Sequence, residues 1–249
     1  MSKRWYQENR RDPWRREARS KGYRARSAYK LKQIQDRFGI IRKGDSVLDI
    51  GCHPGGWTQV VVEEVGDGGV TIGVDLLSTT PVEGASIIIG DISNDSTLNH
   101  ISELLDGRVL NAVVSDISPR LTGRYDTDQA ISLELSTLVM DIAMKVLAPG
   151  GNFVTKIFQG TGIEGLIGAA KQRFSNVQRY APTASRKASS ETYLVCQNKL
   201  PWSKNKTKGK TALQHVQEHL EDINVLVKGI EEDNIERKVG FKKLGKKKD

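Results

Sequence analysis

From Ser46 onward, short β-branched runs alternate with stretches whose apolar residues recur every three or four positions. That alternation is the mark of β-α-β units feeding a mainly parallel sheet. Period-2 and continuous apolar runs predict strands at Ser46–Ile50, Val70–Asp75, Ser86–Gly90, Ala112–Asp116 and Asn152–Ile157. Two later runs, Val177–Tyr180 and Thr192–Gln197, are placed to close the sheet, one of them antiparallel. Helices are predicted between them at Gly56–Val65, Thr97–Leu105, Asp128–Leu147 and Ile163–Phe174. The clearest is 128–147, where Ile131, Leu135, Leu138, Val139, Ile142 and Val146 share one face and Pro149-Gly150-Gly151 stops the pattern. Ahead of the sheet, Ser27–Phe38 reads as an amphipathic helix carrying Lys30. The expected fold class is α/β: a Rossmann-like, mainly parallel seven-stranded sheet flanked by helices.

Past Pro201 the pattern fades into a Lys/Gly/Thr linker, one helical stretch at about Ala212–Ile230, and a Lys-rich end. The chain therefore divides into a basic N-terminal arm (1–26), one α/β domain (27–200) and a Lys-rich linker with a helical tail (201–249). The net charge of +8 follows the same division. Residues 1–32 hold 12 Lys and Arg against 3 Asp and Glu, residues 201–249 hold 12 against 8, and the body holds 14 against 19. An acidic body between basic ends points to a phosphate backbone as partner, bound chiefly by the arm, where Trp5, Tyr6, Trp14 and Tyr23 stand among the arginines. No apolar run is long enough for a membrane span or a signal peptide, so neither membrane nor export is expected. Two isolated cysteines, Cys52 and Cys196, suggest no disulfide framework and fit a reducing cytoplasm. No metal site is expected: Cys52-His53 lacks a second ligand pair, and His215 and His219 read as a solvated helix face.

The chemistry gathers at strand ends. The first strand runs into Asp49-Ile50-Gly51-Cys52-His53-Pro54-Gly55-Gly56-Trp57 before a helix begins. Glycines there let a ligand approach the backbone and aim the helix N-terminus at it, but the spacing is neither the dinucleotide fingerprint nor a P-loop. The next three strands each finish in an acid, Asp75, Asp91 and Asp116. In open α/β sheets ligands sit beyond the carboxyl ends of the strands, so these carboxylates should border one crevice with the glycine turn. Such a crevice suits a cationic, hydroxyl-bearing cofactor and would repel a pyrophosphate. Asp75 suits ribose hydroxyls, Asp91 an adenine amino group, and Asp116 lies toward the reacting end.

With these pieces in place, residues about 20–197 resemble the RrmJ/FtsJ family of ribose 2′-O-methyltransferases. The resemblance rests on Arg26-Ser27-Ala28-Tyr29-Lys30-Leu31, Pro54-Gly55-Gly56-Trp57, Val74-Asp75-Leu76-Leu77, Gly90-Asp91, Ser115-Asp116 and Leu147-Ala148-Pro149-Gly150-Gly151. It continues through Lys156-Ile157-Phe158-Gln159-Gly160, Ser185-Arg186 and Glu191-Thr192-Tyr193. One departure is Cys52-His53, where the family often has two alanines. The resemblance implies S-adenosyl-L-methionine (AdoMet) as cofactor, bound by the glycine turn at Gly51, Gly55, Gly56 and Trp57 and by Asp75, Asp91 and Asp116. It implies a catalytic tetrad at Lys30, Asp116, Lys156 and Glu191. The implied substrate is a uridine ribose of large-subunit ribosomal RNA, methylated in the assembled subunit by a monomeric enzyme. The same chemistry would serve a tRNA anticodon loop, and a silent RNA-binding assembly factor would keep the fold alone.

In-line methyl transfer to a weakly nucleophilic hydroxyl depends on positioning, and Lys156 at a strand end is the group expected to meet that hydroxyl. As a base it would have to be neutral, which burial and Lys30 favour and Asp116 and Glu191 oppose. If charged, it would instead hold the hydroxyl and stabilise developing negative charge, with Asp116 as proton acceptor. Both roles stand open, and the resemblance implies the first.

Overall fold

The computed structural model describes residues 12–119, 122–186, 190–207 and 209–223. Seven strands form one sheet: β1 (Ser46–Ile50), β2 (Val70–Asp75), β3 (Ser86–Ile89), β4 (Leu110–Ser115), β5 (Leu147–Phe158), β6 (Phe174–Tyr180) and β7 (Glu191–Lys199). Their order is β3-β2-β1-β4-β5-β7-β6. β1 to β5 pair in parallel, whereas β7 inserts antiparallel between β5 and β6. The single reversed strand is the one the sequence allowed for without locating it.

Central strands are buried on both faces, which is why β1 shows no polar alternation. Neighbouring residues feed opposite cores: Val47, Val114, Val154 and Val195 face one, and Leu48, Val113, Phe153 and Leu194 the other. The first core lies under α2 (Ala28–Phe38) and α3 (Gly56–Val65). The second is covered by α4 (Asp95–Leu105), α5 (Tyr125–Val146) and α6 (Ile163–Lys171).

Both ends of the described chain join this body. Helix α1 (Pro13–Ser20) lies inside the segment expected to be an arm. Asp12 caps it by accepting from the Arg15 amide at 3.2 Å, and Pro13 opens the first turn, where its missing N–H costs nothing. Trp14 packs on Tyr29 with ring centroids 5.1 Å apart, and the Tyr23 hydroxyl donates to Glu63 at 2.6 Å. These two aromatics, expected among the base-stacking set, serve internal packing instead, while Trp5 and Tyr6 fall outside the described residues.

At the other end, α7 (Ala212–Asp222) docks on α5 and α6, burying Ala212 and Val216 in the second core. The contact is close because Gly165 has no side chain: a Cβ there would sit 2.9 Å from that of His219. His215 and His219 are therefore half-buried against the body and not on a solvated face. The continuation expected to Ile230 lies outside the described residues beyond 223.

Helix α5 ends within one residue of the expected Leu147, but β5 begins at Leu147 itself, five residues before the expected Asn152. Leu147 pairs with Leu110, and a register shift accommodates Pro149 and Gly150, the latter at φ 85°, before pairing resumes at Asn152. Among the described residues no helix is long and apolar enough to cross a membrane, and no cluster of His, Cys, Asp and Glu could hold a metal ion.

Candidate active site

The glycine turn is shaped by three close approaches. Gly51, at φ 77°, donates its amide to the Val74 carbonyl at 2.8 Å, and a Cβ on it would meet that of Ile117 at 3.1 Å. Gly55 caps α3 at φ 104°, where a Cβ would lie 2.9 Å from the Arg24 guanidinium, and Gly56 has the same restriction against Ala25 at 3.1 Å. Gly51 thus lets Ile117, after β4, pack against the turn, whereas Gly55 and Gly56 let the segment before α2 lie against it. The first amides of α3, including that of Trp57, have no intrahelical acceptor. The Trp57 side chain, which the resemblance placed among the cofactor contacts, is buried in the core. It is 3% exposed, donates to the Ser27 carbonyl at 2.8 Å and lies against the Tyr193 ring at 5.6 Å, so any ligand contact falls to its main chain.

Beyond the strand ends lies a cleft of about 300 Å³ lined by Gly51, His53, Asp75, Asp91, Asp116 and Leu135 among others. The three strand-end acids do converge there. Asp75 accepts from the His53 amide at 2.9 Å and the Leu77 amide at 2.8 Å. Asp91 accepts through one oxygen from the Ser93 amide and hydroxyl, at 2.8 and 2.7 Å. The Cys52-His53 departure divides in two: Cys52 is buried, its thiol pushed up to about 12 by burial, while His53 lies on the rim with Nδ1 3.2 Å from the Thr79 hydroxyl. Beneath the turn, Asp49 is 1% exposed and accepts from the Thr58 hydroxyl at 2.7 Å, its other oxygen unpartnered. Burial, helped by the charges of Asp116 and Asp75, pushes its carboxyl up to about 7.

At the inner end of the cleft, two cations meet two carboxylates. Lys156, on β5 and 5% exposed, donates to the Asp116 carbonyl at 2.6 Å and to its carboxylate at 3.1 Å. Lys30, on α2 and 8% exposed, pairs with Glu191 at the start of β7 at 2.6 Å. Antiparallel pairing makes this possible, because it sets the beginning of β7 beside the end of β5: Lys156 pairs with Tyr193 and Phe158 with Glu191. Burial would raise the Asp116 carboxyl, but the Lys156 and Lys30 cations and the hydrogen bonds to it hold it below its ordinary value.

One member of this cluster escaped the sequence reading. The fully buried Tyr193 donates its hydroxyl to the Asp116 carboxylate at 2.7 Å and has the Lys30 ammonium 5.8 Å from its ring centroid. Burial first, then the Asp116 and Glu191 charges, push its phenol well above the ordinary value, so it stays a donor. The available signal was period 2: Glu191 and Tyr193 are two apart on one strand and share a face.

Next to this cluster is a second cavity, about 470 Å³, bordered by Arg15, Arg19, Arg24, Arg26 and Arg186. Arg26 is tied to Asp12 and the Ala184 carbonyl, and its guanidinium is lowered by burial and by Arg186 while feeling the opposing charge of Glu191. The polar loop after Asp116 is pinned by Asp128, which accepts from the Thr122 amide and hydroxyl, each at 2.7 Å; Arg120 and Leu121 within it lie outside the described residues.

Comparison with known proteins agrees with this picture. A family model described as FtsJ-like methyltransferase matches residues 23–199. The chain is 47% identical over 184 residues to a protein named ribosomal RNA large subunit methyltransferase E from Methanothrix thermoacetophila, covering 74% of this chain and 71% of that one. It is 42% identical over 200 residues to a protein of the same name from Granulibacter bethesdensis, covering 80% and 86%. A crystal structure from Plasmodium falciparum described as a ribosomal RNA methyltransferase superposes with a TM-score of 0.64 at 27% identity, over 72% of this chain and 99% of that one.

Proposed function

Because the chain belongs to the FtsJ-like methyltransferase family, we propose that it methylates the ribose 2′-hydroxyl of a uridine in large-subunit ribosomal RNA, in the cytoplasm and on the assembled subunit. The observation that carries this reading is the buried Lys30–Glu191 and Lys156–Asp116–Tyr193 network opening onto an acid-lined cleft.

The cleft suits AdoMet, which supplies a methyl group on a positively charged sulfur. Its volume of about 300 Å³ lies at the small end of the range for ligand pockets. Its acids complement a cation. Asp75 would accept from ribose hydroxyls and Asp91 from the adenine amino group. The amides of Gly55, Gly56 and Trp57 border the same turn, and Asp116 stands nearest the reacting end.

Lys156 has two of its nitrogen's hydrogen-bonding directions taken by Asp116, leaving the third for the acceptor hydroxyl. It would orient that oxygen toward the methyl group that bound AdoMet would supply, and would take the hydroxyl proton and pass it to water. Asp116, fixed by Tyr193, holds the lysine in place, and Glu191 holds Lys30 beside them. The acceptor backbone lies in the arginine cavity next to Glu191, which suits a polyanion.

Mass-spectrometric mapping of 2′-O-methyl groups in RNA from cells with and without the protein tests the reading. One large-subunit uridine should lose its methyl group. A loss confined to tRNA would overturn the ribosomal assignment.

A further inference from the structure

At the opposite end of the strands, a cavity of about 350 Å³ lies where β5 begins and β7 ends. Four cations border it, Lys145, Arg173, Lys199 and Lys210, of which Lys210 pairs with Glu218 at 2.8 Å, against one acid in the lining, Asp141. That acid is already engaged in capping α7, accepting from the Ala212 and Leu213 amides at 2.6 and 3.2 Å. Arg173 is 3% exposed, and its guanidinium donates to the Ala169 and Lys210 carbonyls at 2.7 and 2.6 Å. Lys199 donates to the carbonyls of Met144 and Leu147 at the end of α5. Burial lowers both cations from their ordinary values. Carbonyl dipoles hold these groups but do not cancel their charge, so the cavity keeps a positive field.

Over its mouth run residues 201–207, with Gly209 and Lys210 on its border. Trp202 is 79% exposed, the most exposed of the large apolar side chains among the described residues, and Lys204 and Lys206 beside it are exposed as well. A turn of 3-10 helix, Trp202–Lys204, fixes its backbone, with the Lys204 amide donating to the Pro201 carbonyl at 2.9 Å. An ordered indole facing solvent has no role in packing. Set among lysines over a cationic cavity, it matches the requirements of single-stranded nucleic acid: a flat ring for a base and cations for the phosphates.

We propose that this face is a second RNA-binding site, taking an unpaired nucleotide on Trp202 with its flanking phosphates on Lys145, Lys204 and Lys206. Along β7, six residues separate Tyr193 in the catalytic cluster from Lys199 here, which at ~3.4 Å per residue puts the sites about 20 Å apart. The surface grips a part of the substrate remote from the methylated ribose. The choice of RNA over another polyanion rests on the function proposed above.

The test uses the full chain and a mixed-sequence single-stranded RNA of about twelve nucleotides, with affinity measured by anisotropy across a salt series. Trp202→Ala should weaken binding about tenfold, the usual scale for one stacked base. Lys204→Ala with Lys206→Ala should flatten the dependence of log K on log salt by about 1.4, at ~0.7 per phosphate contact. AdoMet binding and melting temperature report that the fold is intact. Unchanged affinity and slope in both variants would overturn the proposal, as would tighter, Trp202-dependent binding of poly-glutamate than of RNA. Methyl incorporation by wild-type protein is scored separately: its absence, with RNA binding still dependent on Trp202, would sink the methyltransferase reading and leave this site standing.

Discussion

The two ends of the sheet treat buried charge in opposite ways. At the carboxyl ends of the parallel strands, each buried lysine faces a carboxylate: Lys30 meets Glu191 and Lys156 meets Asp116. At the other end, Arg173 and Lys199 are held by main-chain carbonyls, Asp141 caps a helix and Glu218 pairs only with Lys210 at the rim. The first arrangement cancels its own field and leaves an acid-lined cleft able to accept a cation. The second leaves positive charge standing beside solvent, where only an anion from outside can balance it. Counting ionised residues would miss this difference, since both ends are rich in lysine; what separates them is the partner of each.

The comparison can be broken first at Lys156. Lys156→Ala should lower single-turnover methyl transfer about 10³–10⁴-fold, with AdoMet affinity by calorimetry nearly unchanged; near-normal turnover would show that the paired lysines are structural.

Asp49 sharpens the comparison, because it is an acid at the catalytic end without a cation. Its folded value of about 7 stands above the ordinary one of ~3.9, so the folded state holds the extra proton in between. This contribution to stability is therefore full below about pH 4, declines as pH rises to about 7, and is level beyond. At 1.36 kcal/mol per unit the change is at most ~4 kcal/mol. Asp49→Asn should remove that fall in a urea-unfolding series from pH 4 to 8, and an unaltered slope would assign it to another group.

A smaller effect is expected at Tyr193. Tyr193→Phe deletes one hydrogen bond to the Asp116 carboxylate, worth ~1.5–3 kcal/mol for a charged acceptor, so turnover should drop about 10–100-fold while AdoMet affinity holds. A change in affinity alone would place the tyrosine with the cofactor instead of the acceptor. Smallest is Asp91→Ala, which should weaken AdoMet binding about tenfold, one hydrogen bond's worth, and leave RNA binding untouched. Equal losses in both would argue for local misfolding.

Much of this was legible in the chain because strand-end position is a local property. Gly51, Asp75, Asp91 and Asp116 declare themselves by following an apolar run, and any parallel sheet then gathers them in one crevice. Lys30 was singled out only through the family resemblance, since nothing local distinguishes it from Lys32, which pairs with the exposed Glu63. Tyr193 stayed hidden because its partner lies on another strand and its value depends on the direction of β7. Trp57 misled because its side chain and main chain face different tasks. The roles of Pro13–Ser20 and Pro201–Asp222 were obscured by charge: polar composition suggested loose appendages, but Trp14, Ala212 and Val216 are enough to anchor each segment.

The reversed direction of β7 decides where an addition to this fold would emerge. Had that strand run with its neighbours, whatever followed Lys199 would surface at the mouth of the catalytic cleft and compete with the substrate. Running backwards, it sets Glu191 beside Lys30 and releases the chain on the far face. Sequence grafted after β7 can therefore be exchanged or enlarged at little cost to the reaction, which makes that face the natural one on which relatives of this enzyme could vary the RNA they recognise.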